Sequence, residues 1–460
     1  MEQTDEKNAE SVLDRDFNMG SFLLYVLPAI ITYIFNGIYS SVDGAFIERF
    51  QGPYAIAAVS LYYPMLNIVL GIGTMIGTGG GVALAALQGE KKNDAADRLF
   101  SQLILTAAAI GMLTAVGGNI FSAEILHLLG ATSGNITYAA KYYNIMITTS
   151  PILLFAAILM PLFLAEGKTT QIAVTSVLGG ILNMVLDYFF MGVLDWGISG
   201  SALATMIGYS VPFIYGIWFY IPCNRNGSRF HFRRTAFDLK KISSVMYNGS
   251  SEMVSFLANG ITALIMNHLA YDLYREAGVS VVSVFLFIQF LIMAVFLAMT
   301  ASAEPAISYR YGEKDFPKVR HICRLSIAWT AIFSIMSFAA LFLFMGQIVG
   351  IFFDSTGEDR MFYELGCLSM TCSIPAALVT GFNIIISGLF TAFQNGTVSA
   401  LLSGLRTFFF FIAAMYGLTF LLGGTGLWLS WFGAELPCLL VSIVFLIKYR
   451  KAYLYGINDT

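Results

Sequence analysis

Long apolar runs, separated by short polar, glycine or proline breaks, set the rhythm of this chain. Uncharged stretches cover 17–42, 50–89, 99–123, 142–165, 196–224, 277–303, 325–353 and 365–405. A helix needs roughly 20 apolar residues to cross a bilayer's hydrocarbon core. Dividing the long runs at their breaks predicts spans near 19–42, 55–82, 98–120, 138–164, 170–190 and 199–221. A second set is predicted near 246–270, 279–303, 324–346, 363–389, 398–421 and 427–447. An outer-membrane barrel would show alternating segments of ~10 residues instead. The expected fold is therefore an all-α polytopic membrane protein with twelve transmembrane helices in two six-helix lobes.

Composition agrees with that pattern. Of 460 residues 57% are hydrophobic and 12% charged, and the mean hydropathy is +0.73. Soluble domains run near ~45–50% apolar and ~25% charged, so this chain lacks the charge to cover a water-facing surface of its size. The first 18 residues are acidic and hold no apolar core of a secretory signal. Five cysteines, at 223, 323, 367, 372 and 438, form no CxxC pair and have no histidine at zinc spacing, which argues against a disulfide framework or a metal site. The net charge of −3 gives no sign of nucleic acid binding.

The sequence also overlays itself at a shift of 223 residues. Asn36-Gly37-Ile38 meets Asn259-Gly260-Ile261, Val59-Ser60 meets Val282-Ser283, and Gly89-Glu90-Lys91 meets Gly312-Glu313-Lys314. The predicted organisation is a tail 1–18, a first lobe 19–221, a basic linker 222–245, a second lobe 246–447 and a tail 448–460. With the N-terminus placed inside, 20 of the 25 Lys and Arg fall on the inner side and 4 outside, and Arg406 lies within a span. The positive-inside rule then puts both termini in the cytoplasm. Parallel repeats around a central cavity are a transporter architecture.

Ionisable residues inside a membrane are costly, so they are read first as functional. Asp187 lies ~17 residues, or ~25 Å, along the fifth span from its inner end, and Thr205 is ~10 Å into the descending sixth. Asp43 closes the outer end of the first span, so three polar residues on three helices reach similar depth. Tyr39 and Asp43 share a helical face, as do Asn183 and Asp187. Such a group of oxygens suits a proton or a small cation, while a hydrated Asp43 beside a merely structural Asn183–Asp187 pair is the plainer reading. Under the same shift Asp43 meets Met266, and the stretch matching Asp187 reads Phe410-Phe-Ile-Ala-Ala414. The second half carries other acids. Glu252, Asn259 and Glu304 are candidates for a substrate-facing wall, and Arg406 with Glu435 reads as a structural ion pair. The glycine run 71–81 has no Lys-Ser/Thr after it and no soluble strand before it, so it reads as close helix packing rather than a nucleotide loop.

At these residues the chain resembles the multidrug and toxic compound extrusion (MATE) family, and within it the prokaryotic MepA-like branch. The matching stretches are Val42-Asp-Gly-Ala-Phe-Ile47, Ala57-Ala-Val-Ser-Leu61, Gly179-Gly-Ile-Leu-Asn183 with Asp187, Gly197-Ile-Ser-Gly-Ser-Ala-Leu-Ala-Thr205, Gly249-Ser-Ser-Glu252 and Pro305-Ala-Ile-Ser-Tyr-Arg-Tyr-Gly312. The resemblance implies export of cationic amphiphiles against inward H⁺ or Na⁺, with Tyr39, Asp43, Asn183, Asp187 and Thr205 binding the cation or proton. It departs at Glu304, where the branch usually has Gln, and at Gly44 and Glu48 after the first-span Asp.

The expectation is a monomeric, cation-coupled antiporter of the bacterial cytoplasmic membrane. It needs no cofactor beyond the coupling H⁺ or Na⁺, and its partners are a small cationic or amphiphilic substrate and membrane lipid. The alternative is a lipid-linked precursor flippase of the same superfamily, although such flippases carry several cavity cations and Arg406 is the one intramembrane Arg or Lys here. No nucleophile–base pair or metal set suggests an enzyme.

Overall fold

The computed structural model describes residues 12–131, 136–220, 228–357 and 360–457. Cys223, Arg225 and most of the acidic N-terminal tail lie outside the described residues. The described chain is almost wholly helical, as expected. Nine helices are each long and apolar enough to cross a membrane, and two bent pairs raise the number to eleven. The helix Ser250–Gly312 has 63 residues, about 95 Å at 1.5 Å per residue, roughly three bilayer cores. It is broken at Arg275, whose backbone (φ 55°, ψ −139°) is not helical. Counted as two spans, it brings the described total to twelve.

In chain order the spans are α1 (Met19–Gln51), α2 (Ala58–Gly89), α3 (Asn93–Ile120), α4 (Ile136–Thr148 with Ser150–Ala165), α5 (Thr169–Val193) and α6 (Ile198–Tyr220). The second half holds α7 (Leu239–Asn248 continued by 250–274), α8 (276–312), α9 (Phe316–Gly350), α10 (Arg360–Ala377 with Thr380–Ala392), α11 (Gly396–Leu422) and α12 (Gly424–Tyr455). Helical geometry in α7 begins at Leu239, earlier than the expected 246. Asp238 explains this, because its side chain caps the Lys241 N–H at 3.0 Å, one of the four donors that a helix start leaves free. Asn18, Asp315 and Asn395 cap α1, α9 and α11 in the same way.

The internal shift is written into the backbone as well. Positive φ angles recur in pairs: Gly52 with Arg275, Lys91 with Lys314, Gly130 with Gly357, Gly167 with Gln394, and Gly197 with Gly423. Two cores accompany them. One is built mainly from α2 to α6 around Leu103, Tyr143 and Phe163, and takes in Ile47 of α1 and Ile242 and Val245 of α7. The other joins α7 to α12 but also takes Phe22, Val26 and Ile30 of α1. The first helix therefore packs its beginning on the second half.

The halves meet at the end of the molecule that carries the basic loops. There α2 and α8 cross backbone on backbone, where a Cβ on Gly89 would collide with the Tyr309 carbonyl and one on Gly312 with the Ala86 carbonyl. These two contacts are images of one another under the 223-residue shift. Beside them Tyr25 Oη donates to the Ser302 carbonyl at 3.1 Å, and Ser308 Oγ donates to the Val82 carbonyl at 2.9 Å.

Candidate functional site

Close approach of α5 and α6 builds the site. A Cβ on Gly179 would lie 2.5 Å from the Gly208 carbonyl, and one on Gly208 would lie 2.9 Å from Asn183 Cβ. With no side chain between them, the two helices bring Asn183 over α6, where its Nδ2 reaches Thr205 Oγ1 at 3.4 Å. One turn further on, Asp187 is completely buried, and neither of its carboxylate oxygens receives a donor from the described protein. Its polar neighbours are the Asp43 carboxyl and the Asn183 amide. Asp43 in turn accepts from Ser201 Oγ at 3.2 Å. Tyr39 packs against the bare surface of Gly180, its Cδ1 2.9 Å from where a Cβ would stand, and its hydroxyl pairs with that of Tyr209.

The structure thus brings Tyr39, Asp43, Asn183, Asp187 and Thr205 into one cluster on α1, α5 and α6. Two carboxyls in contact away from water cannot both stay charged unless a proton or a cation sits between them. An unsatisfied buried carboxylate is costly, and oxygen ligands alone suit a hard cation or a proton. Among the described residues no group of three or more His, Cys, Asp or Glu is placed to hold a metal ion.

Sequence reasoning missed three members of this cluster. Ser201 and Tyr209 lie four residues either side of Thr205, so one face of α6 carries all three, and that spacing was available as a signal. Tyr142 of α4, which interacts electrostatically with both Asp43 and Asp187, left no local trace because α4 is distant in sequence.

The second half is arranged differently. Glu304 on α8 is buried, lies near Glu252 on α7, and sits against Gly388 of α10. Tyr33 of α1 faces both acids. Glu252 also feels the charge of Arg406. Asn259, two turns beyond Glu252 on the same side of α7, is exposed. Arg406 is held on a π-turn, Leu405–Phe409, inside α11, and its Nη1 lies 3.5 Å from Glu435 Oε1 with both side chains buried. Glu435 also accepts from Trp431 Nε1 at 3.3 Å and from Asn383 Nδ2 at 2.6 Å, and Ser442 closes the network on Asn383 at 3.2 Å. Nearly every polar atom of this group is answered from within, unlike the oxygens of Asp187.

Comparison with known proteins gives the class of molecule. Residues 28–189 and 252–416 match the MatE family, and the chain belongs to that family. Among characterised relatives, the multidrug export protein MepA of Staphylococcus aureus (strain MRSA252) is 22% identical, with 93% of each chain covered. MepA of Staphylococcus saprophyticus is 23% identical over the same share of both chains. Among solved structures, an outward-facing multidrug resistance MATE family transporter of the MOP superfamily has a TM-score of 0.89 at 20% identity, covering 98% of this chain and 99% of its own. A MOP superfamily transporter from Pyrococcus furiosus, described as having a binding pocket of reverse polarity, has a TM-score of 0.88 at 20% identity with the same coverage. The fold is that of these transporters, and the protein is a multi-pass membrane protein.

Proposed function

We propose that this protein is a cation-coupled exporter of cationic or amphiphilic compounds, working by alternating access and driven by inward H⁺ or Na⁺. One observation carries the reading: Asp43 and Asp187 are in contact, and among the described residues no hydrogen-bond donor reaches the carboxylate oxygens of the buried Asp187. A shared proton, or one desolvated cation, is the simplest occupant of that gap. Binding there favours one access state and substrate binding favours the other, so the two are coupled by a reciprocal free energy. The relatives named as multidrug export proteins support the substrate class. Glu252 and Glu304 place two acidic side chains near one another in the second half, which suits a cationic substrate. In this reading the seam between α2 and α8 lies at the cytoplasmic face of a bacterial plasma membrane, an orientation that the basic loops support, and the protein acts as a monomer.

The test is transport in proteoliposomes with a pH gradient and a Na⁺ gradient imposed separately, using ethidium as substrate. Asp43→Asn and Asp187→Asn should each lower gradient-driven transport at least tenfold while leaving ethidium binding within about threefold, since each carboxylate belongs to the coupling step. Full activity in both variants would remove the proposed site. Movement of a lipid-linked phosphate precursor, with no ethidium transport, would favour a flippase instead.

A further inference from the structure

Two short segments cross the basic end of the molecule, and each is bound to a different half. The strap 228–238 comes after α6 and belongs to the first half. Ser228 Oγ donates to Glu166 Oε1 at 2.9 Å, and the Arg229 N–H donates to Glu166 Oε2 at 3.2 Å. The His231 N–H donates to Asp97 Oδ1 at 2.9 Å, and the Arg233 N–H to Ser101 Oγ at 2.8 Å. Between them Phe230 is fully buried and stacks on Phe100. The segment 12–19, ahead of and opening α1, belongs to the second half. Leu13 and Phe17 are buried in that core. Arg310 Nη2 donates to the Arg15 carbonyl at 3.2 Å, Lys318 Nζ lies 2.8 Å from Asp16, and Trp329 Nε1 donates to the Met19 carbonyl at 3.1 Å.

Asp14 joins the two. Its Oδ1 accepts from Tyr309 Oη, and its Oδ2 lies 3.0 Å from Arg229 Nη2, with both side chains about a quarter exposed (27% and 28%). Tyr309 is also the residue whose carbonyl meets Gly89 at the seam. If the halves part at this end, Arg229 is carried with Glu166 and Asp97, while Asp14 is carried with Tyr309 and Arg310.

We propose that Arg229 and Asp14 form a latch across the seam, so that the strap and the segment 12–19 hold this end of the transporter closed until the pair is broken. This rests on the alternating-access reading above. It assigns to the linker and to the chain's beginning a role in setting the balance of access states, separate from the carboxylates of α1 and α5. A partly exposed charge-assisted hydrogen bond of this kind is expected to shift a two-state balance by roughly threefold to tenfold.

The experiment uses the full chain in nanodiscs with its native cysteines replaced and spin labels at Lys92→Cys and Lys314→Cys, exposed positions beside the seam. Asp14→Ala and Arg229→Ala should each raise the fraction of long label separations roughly threefold to tenfold. The double variant should do no more than either single one, and Arg229→Lys should restore most of the closed population. Unchanged distances in folded single variants, or effects that simply add in the double variant, would overturn the latch. An impermeant maleimide applied to intact cells settles the orientation separately: labelling of Lys92→Cys there would overturn the cytoplasmic assignment, while the distance change would still uphold the latch.

Discussion

At the scale of single residues, charge burial divides the side chains into those answered from within and those left open. Arg406 and Glu435 are of the first kind. Breaking a buried pair from one side leaves an uncompensated charge, which costs ~3–5 kcal/mol. Arg406→Ala should therefore lower the thermal midpoint in detergent markedly. The further change Glu435→Gln should recover part of the loss, because the amide still accepts from Asn383 without a charge. A double variant no more stable than Arg406→Ala would show that the stranded Glu435 charge is not the source of the loss. Glu166, just past the end of α4, gives a pH prediction. Burial pushes its carboxyl up from 4.5 to about 7, against the Ser228 hydroxyl and the Arg229 N–H, which favour the ionised form, as do the charges of Lys168 and Arg229. A group whose pKa is raised on folding binds its proton more tightly in the folded state. Its contribution is complete below about pH 4.5 and is lost as pH rises through about 7. The strap should thus loosen as pH rises from about 4.5 to about 7. A spin label at the exposed Phe232 would report this as rising mobility, and Glu166→Gln should flatten the profile. A label equally mobile at both pH values in the unaltered protein would refute it.

At the scale of helices, the cluster depends on how nearly α5 and α6 touch. Gly208→Leu would force them apart at the level of Asn183 and Thr205. Gradient-driven transport should fall at least tenfold, because catalytic and binding geometries tolerate displacements of only about 1 Å, while the purified protein remains a monodisperse, helical particle. Retained transport would show that the cluster does not need that approach. The helices themselves were legible from sequence, since uninterrupted apolar runs leave no other use for so much hydrocarbon. The faces carrying Tyr39 with Asp43, and Asn183 with Asp187, were legible from four-residue spacing. The hidden parts depend on contacts between residues far apart in the chain. Nothing local in Tyr142 says that it faces Asp43, and nothing in Asp14 says that it meets Arg229 and Tyr309. The Asn383 amide is one polar residue in an apolar stretch until α12 brings Glu435 beside it. The start of α7 escapes a reading by hydropathy because Leu239 to Tyr247 carries two lysines, and it is capping rather than apolar character that sets the boundary there.

At the scale of the whole molecule, the halves close on each other through bare backbone at Gly89 and Gly312. Side chains there cannot be accommodated without separating α2 from α8. Gly89→Leu and Gly312→Leu should each favour the state open at the basic end, with the same long label separations that release of the latch produces and with slowed transport cycles. An unshifted distance distribution in either variant would mean that the seam yields elsewhere.

The paired backbone turns also record how the two halves have diverged. Gly52 with Arg275 and Lys91 with Lys314 are separated by 223 residues, whereas Gly130 with Gly357 and Gly167 with Gln394 are separated by 227. The copies therefore differ by four residues between their second and third turns; helix fills 93–128 of that interval in the first, interrupted at Phe121, and 316–350 in the second, so the extra residues fall in the connection 351–357. An ancestral duplicate could thus lengthen one connection without re-aiming the rods beyond it, leaving the backbone turns of both copies in matching places.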